Sequence, residues 1–133
     1  MDARKIAVAE LCLHGAEGGT MGFPAIVALL AAEGFDGYLV DYRAATVTYY
    51  LTDGTPATLP AAHAAVAIPA AFDAAAVAAA VADAQRNAAG YTYRGFSERV
   101  MAAGCAGYLV SLGGRRVVYV GRSGETHVER MPD

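Results

Sequence analysis

Only two of the 133 residues are cysteine, Cys12 and Cys105, and they stand far apart. They form neither a Cys-x-x-Cys pair nor a zinc-type spacing, which argues against a disulfide framework and makes a reducing cytoplasm the expected location. Cationic residues are also scarce: ten Lys and Arg against thirteen Asp and Glu leave a formal net charge of −3. No positive field is available to gather nucleic acid or acidic lipid, so neither is expected as a partner. A long apolar run is missing too. The longest uncharged stretch, 54–72, is interrupted by Pro56, Pro60 and Pro69 and padded with alanine, so no membrane span is expected. The opening MDARKIAVAELCLHG has only a short apolar run before Glu10 and no small-residue cleavage signal, and it is not read as a signal peptide.

What the chain has is a 56% hydrophobic content, much of it alanine. Alanine buries little area per residue, yet 133 residues suffice for one core without staples. A single domain spanning 1–133 is expected. Sliding the sequence by seventy residues lays 23–59 on 93–129 without a gap. Nine of the thirty-seven pairs are then identical, among them Gly34/Gly104, Gly37/Gly107, Tyr38/Tyr108, Leu39/Leu109, Val40/Val110, Val47/Val117 and Tyr49/Tyr119. Such self-similarity reads as an internal duplication, with repeats at about 1–60 and 71–133 and a connector at 61–70.

Each repeat reads as helix, helix, then a meander of strands. Asp2 caps a helix carrying Ile6, Leu11 and Leu13 that gives out near Gly15, Gly18 and Gly19. A second helix opens at Phe23-Pro24, buries Ile26, Val27 and Leu30, and stops at Gly34. Strands are expected at 37–43 and 46–51, and Asp53-Gly54 turns the chain into 56–60. In the second repeat Asp73 caps an alanine-rich helix with Val77 and Val81, and Phe96, Val100 and Met101 mark a helix ending at Gly104. Strands follow at 106–112, 115–121 and 125–130. The low-complexity PAAHAAVAIPAA between them gives no structural signal. The expected fold class is α+β: duplicated helix-helix-β-meander units, a largely antiparallel sheet and a pseudo-two-fold relation between halves.

YLVDYRAATVTYYLTDG, FDAAAVAAAV and above all AAGCAGYLVSLGGRRVVYVGRSGETHVE resemble the YbcV-like family of small bacterial and prophage domains of unknown function, some of whose members are labelled phage envelope protein. The resemblance runs over nearly the whole chain. It implies no established reaction, cofactor or catalytic residue.

The seventy-residue offset also sorts candidate functional groups, because a residue needed by a common fold has a similar counterpart. Cys105 lies opposite Phe35, which marks an apolar core position, and Cys12 sits on an apolar helix. His14 falls near a helix end, where its charge suits the dipole; His63 is isolated in the connector. Tyr38, Tyr42, Tyr49, Tyr50, Tyr108 and Tyr119 read as strand and core residues rather than a base-stacking platform, since no basic stripe interleaves them. The spacing from Gly121 to Gly124 is too short for a phosphate loop.

The segment GRSGETHVE behaves differently. Alternation along a strand places Glu125, His127 and Glu129 on one face, opposite the neutral Thr55, Ala57 and Leu59 of the first half. Arg122 stands nearby. One account is a solvated outer strand whose charges discourage edge pairing. The other is a polar ligand site, in which His127 with Glu125 or Glu129 moves a proton and Arg122 holds an anionic group. Glu125 and Glu129 are on the order of 13 Å apart at Cα, so a three-ligand metal site on this strand alone is not expected, nor is a cofactor. The leading expectation is a cytosolic binding or protein-interaction module, homodimeric through sheet edges or alanine-rich helices. The alternative is a small-molecule enzyme or ligand-binding protein using the C-terminal strand.

Overall fold

The computed structural model describes residues 1–62 and 66–132. His63 therefore lies outside the described residues. Four helices, α1 (Ala3–Glu17), α2 (Phe23–Ala32), α3 (Ala74–Gln85) and α4 (Tyr93–Ala102), accompany six strands, β1 (Phe35–Asp41), β2 (Thr46–Leu51), β3 (Pro56–Pro60), β4 (Cys105–Ser111), β5 (Arg116–Gly121) and β6 (Thr126–Arg130). The strands form one antiparallel sheet in the order β3-β2-β1-β4-β5-β6. The α+β class with an antiparallel sheet is as the sequence implies. The bounds of α2, β1, β2 and β3 recur seventy residues later in α4, β4, β5 and β6. Among the described residues, no helix is long and apolar enough to cross a membrane.

Local chemistry accounts for the element ends. The side chains of Asp2, Asp73 and Thr92 accept from the backbone N–H of Lys5, Ala76 and Gly95, satisfying donors that a first helical turn leaves without partners. Thr92, unlike the two aspartates, is not among the caps that the sequence pattern marks. Strand β1 stops at Asp41, two residues short of expectation, because the Asp41 carboxylate accepts from the N–H of both Arg43 and Ala44 at 3.0 Å and folds the chain into a turn. Ser111 does the same for Gly114 at 2.9 Å. Helix α1 continues through Gly15 to Glu17, and its Leu11 is 57% exposed.

The helices lie on one face of the sheet. Their Cys12, Leu13, Leu30, Val77, Val100 and Met101 pack with Tyr38, Val40, Val47, Tyr108, Val110 and Val117 of the strands in a single core. The opposite face alternates outward, as period-two side chains must. There Leu39 is 39%, Leu109 42% and Val128 48% exposed.

Gly34 and Gly104 both follow a helix end in the left-handed region, with φ of +84° and +96°. A Cβ at Gly34 would meet only the Lys5 Nζ at 3.7 Å, whereas one at Gly104 would run into the Ala71 carbonyl and crowd Phe72 Cα at 3.0 Å. Both substitutions carry the backbone penalty of about 1 kcal/mol, and Gly104 adds a collision with backbone. Urea unfolding is expected to show Gly104→Ala destabilised at least twice as much as Gly34→Ala; equal losses would remove the collision as a cause.

Candidate functional site

The hairpin from β5 into β6 closes when the Gly121 N–H donates to the Glu125 carbonyl at 2.8 Å, which leaves Glu125 just before the strand. Its carboxylate turns back to accept from the Ser123 hydroxyl at 2.8 Å. His127 and Glu129 occupy alternate positions on the helix-facing side of β6 and are half-buried. The His127 Nε2 lies 3.1 Å from Glu129 Oε2, and Gln85 at the end of α3 donates to the other carboxylate oxygen at 3.3 Å. The imidazole lies 6.3 Å, centroid to centroid, from the ring of Tyr119, its cross-strand neighbour. The Arg122 guanidinium donates to the Ile68 carbonyl at 2.9 Å and so ties the connector to the turn.

The fold thus brings His127 and Glu129 together and directs the side chains of Glu125 and Arg122 to other partners. Among the described residues, no group of three or more His, Cys, Asp or Glu side chains could hold a metal ion. An open depression at the start of α3, lined by Phe72, Asp73, Arg99 and Ala102 among others, contains none of these four residues. Its Arg99 donates to Asp83 at 2.8 Å, and that bond, ahead of other causes, holds the Asp83 carboxyl below the usual range.

A second polar cluster lies in the core. Tyr49, Tyr38, Tyr108 and Tyr119 run across the helix-facing side of β2, β1, β4 and β5, with ring centroids 5.3 Å apart for Tyr38–Tyr49, 6.4 Å for Tyr38–Tyr108 and 5.2 Å for Tyr108–Tyr119. The Tyr93 hydroxyl, from α4, shares a hydrogen bond of 2.8 Å with that of Tyr108, and Tyr42 donates to Ser97 at 3.2 Å. Burial raises the pKa of each of these phenols, and Tyr93 adds to the cost of ionising Tyr38, Tyr42, Tyr49, Tyr108 and Tyr119. The sequence placed most of these tyrosines on strands; that the Tyr93 hydroxyl reaches that of Tyr108 was not legible, because that depends on how α4 docks over the sheet. Cys12 and Cys105 are buried and free. Burial pushes the Cys105 thiol up to about 11, which suits a structural residue and not a nucleophile.

Compared with known protein families the chain matches none, and compared with curated proteins it again matches none.

The buried phenols couple the fold to alkaline pH. Their folded-state pKa values exceed the ordinary value of 10.0, so above that pH the unfolded chain releases protons that the folded chain retains. Their contribution is fully present below the unfolded pKa and is lost as pH rises towards the folded values. Tyrosinate absorbance from these residues is expected to appear together with loss of helical circular dichroism; ionisation well ahead of unfolding would refute the burial.

Proposed function

We propose that the chain is a small binding module that associates with a second copy of itself through the open face of the sheet. The supporting observation is the central row of that face, where the strand registers place Thr58, Thr48, Leu39, Leu109, Val118 and Val128 side by side. Leu39, Leu109 and Val128 are exposed there, and no charged residue interrupts the row. Two like faces of this kind meet without desolvating a charge at their centre.

Area argues for the same occupant. Six strands about 4.8 Å apart and five to seven residues long give a face on the order of 500 Å². Two copies meeting across it remove on the order of 1,000 Å² from water, the threshold of a specific interface. The pairing of Leu39 with Leu109 at the centre also suits an isologous contact, in which the same patch serves both partners. In this reading the halves arose by duplication and are related by a pseudo-two-fold, the chain is YbcV-like, and it works in the cytoplasm. The net charge of −3 gives nucleic acid no attractive field.

The alternative, a small-molecule site on the C-terminal strand, has the contact of His127 with Glu129 in its favour. It is the weaker reading because Arg122, its intended anion holder, is bound to the Ile68 carbonyl.

Sedimentation equilibrium tests the association. The wild-type chain is expected to show a concentration-dependent dimer, and Leu109→Glu to remain monomeric with an unchanged circular dichroism spectrum. A monomer at every concentration, or a dimer unaffected by Leu109→Glu, would overturn it.

A further inference from the structure

Positive charge gathers at one corner of the open face. The sheet register sets Ser111 of β4 beside Arg116 of β5, and Arg116 directly opposite Arg130 of β6. The Met131 N–H donates to the Arg115 carbonyl, and the Arg115 N–H donates to that of Leu112. Alternation along the ladders then makes Ser111–Arg116 and Arg116–Arg130 non-hydrogen-bonded pairs, the closer kind, with Cα atoms about 4.5 Å apart. Like charges directly opposite one another on adjacent strands are destabilising. A chain whose net charge is −3 thus carries a local repulsion between cations that a neutral residue at either position would remove.

The turn between β4 and β5 holds two of these three side chains in place. Gly114 donates its N–H to the Ser111 Oγ at 2.9 Å, and its carbonyl accepts from the Arg116 Nε at 3.2 Å. A Cβ at Gly114 would stand 2.8 Å from the Ser111 Oγ and 3.7 Å from the Arg116 Nε, so the hydroxyl and the guanidinium flank one glycine. The bond through Nε leaves Arg116 the donors of its two terminal nitrogens, and a Ser111 oxygen that accepts still has its proton to donate. Arg116 is half-buried and Arg130 exposed. On the other side of Ser111 stands Gly37, which puts no side chain into the row. The first half is built the other way round: its Asp41 carboxylate is beside Thr46, and Thr46 is opposite Pro60. A hairpin of this form therefore does not need the arginines.

We propose that Ser111, Arg116 and Arg130 bind a phosphate group, either the free ion or a monoester carried on a small molecule. An anion between the two guanidinium groups replaces their repulsion with attraction, and guanidinium binds phosphate oxygens through paired N–H donors. One hydroxyl and two guanidinium groups offer donors from three side chains. That matches the three acceptor oxygens of a phosphate monoester and exceeds the two of a carboxylate. The site borders the uncharged central row without lying in it, and it rests on the register of β4, β5 and β6 rather than on the association of two copies.

Titration of the full chain with inorganic phosphate, phenyl phosphate and acetate at constant ionic strength, followed by amide chemical shifts, tests the site. Saturable shifts centred on 111–116 and 130 are expected with phosphate, and Arg116→Gln and Arg130→Gln each weaken its binding on the order of tenfold. Arg43→Gln, which removes an exposed arginine from the other hairpin, leaves the affinity unchanged. Tighter binding of phenyl phosphate than of inorganic phosphate assigns an ester, and binding no tighter assigns the free ion. Acetate that binds as well as either overturns the assignment to phosphate. Absence of saturation, an unchanged affinity in Arg130→Gln, or a loss in Arg43→Gln as large as in the other two variants overturns the site. Melting gives a second readout: phosphate is expected to raise the melting temperature of the wild type more than that of Arg130→Gln, and an equal rise in both also overturns it.

Discussion

The structure depends on the antiparallel pairing of β1 with β4. It joins two three-stranded meanders into one sheet, in the register Gly37–Ser111, Tyr38–Val110, Leu39–Leu109, Val40–Tyr108 and Asp41–Gly107. Leu39 thus meets the residue seventy positions after it. A one-residue slip would exchange the faces of every side chain. It would send Tyr38, Val40, Tyr108 and Val110 to solvent and pull Leu39 and Leu109 under the helices. The register holds because that exchange would strip the core of its largest strand side chains. A three-stranded meander with its helices has far less to bury alone.

Fixing that register also makes the two faces unlike. The helix-covered face carries the rings of Tyr38, Tyr49, Tyr108 and Tyr119 among its apolar residues, while the open face carries Leu39, Leu109 and Val128 beside Thr48 and Thr58 in its central row. Strand alternation explains why both features appear together: β1, β4 and β5, which send Tyr38, Tyr108 and Tyr119 inward, send Leu39, Leu109 and Val118 outward at an adjacent position.

Features set by local chemistry were legible in the sequence. Asp2 and Asp73 as caps, Gly34 and Gly104 as left-handed helix stops, and the strand at 46–51 follow from side chains acting within a few residues of themselves. Features set by distant packing were not. Glu125 alternates correctly with His127 and Glu129, yet Ser123 and the hairpin closure take it out of the strand. Arg122 was recognisable as a cation, but its partner is a carbonyl fifty-four residues earlier. The partner of Glu129 on α3, Gln85, carries no pattern that distinguishes it from any other polar residue at a helix end.

The two sheet edges bear on the proposed association, because each is built against pairing with a further strand. An edge strand exposes unpaired backbone groups that invite another chain. The first edge, β3, begins and ends with Pro56 and Pro60, neither of which has an N–H to donate. The second edge, β6, has no proline and instead bears His127, Glu129 and Arg130, with Glu129 held to α3 through Gln85. A strand added at β3 meets missing donors, and one added at β6 must fit against charged side chains. The two outer strands thus discourage pairing by different means, which accounts for the charge on β6 where β3 is neutral. With both edges guarded, the uncharged central row from Thr58 to Val128 is the surface that the proposed association uses.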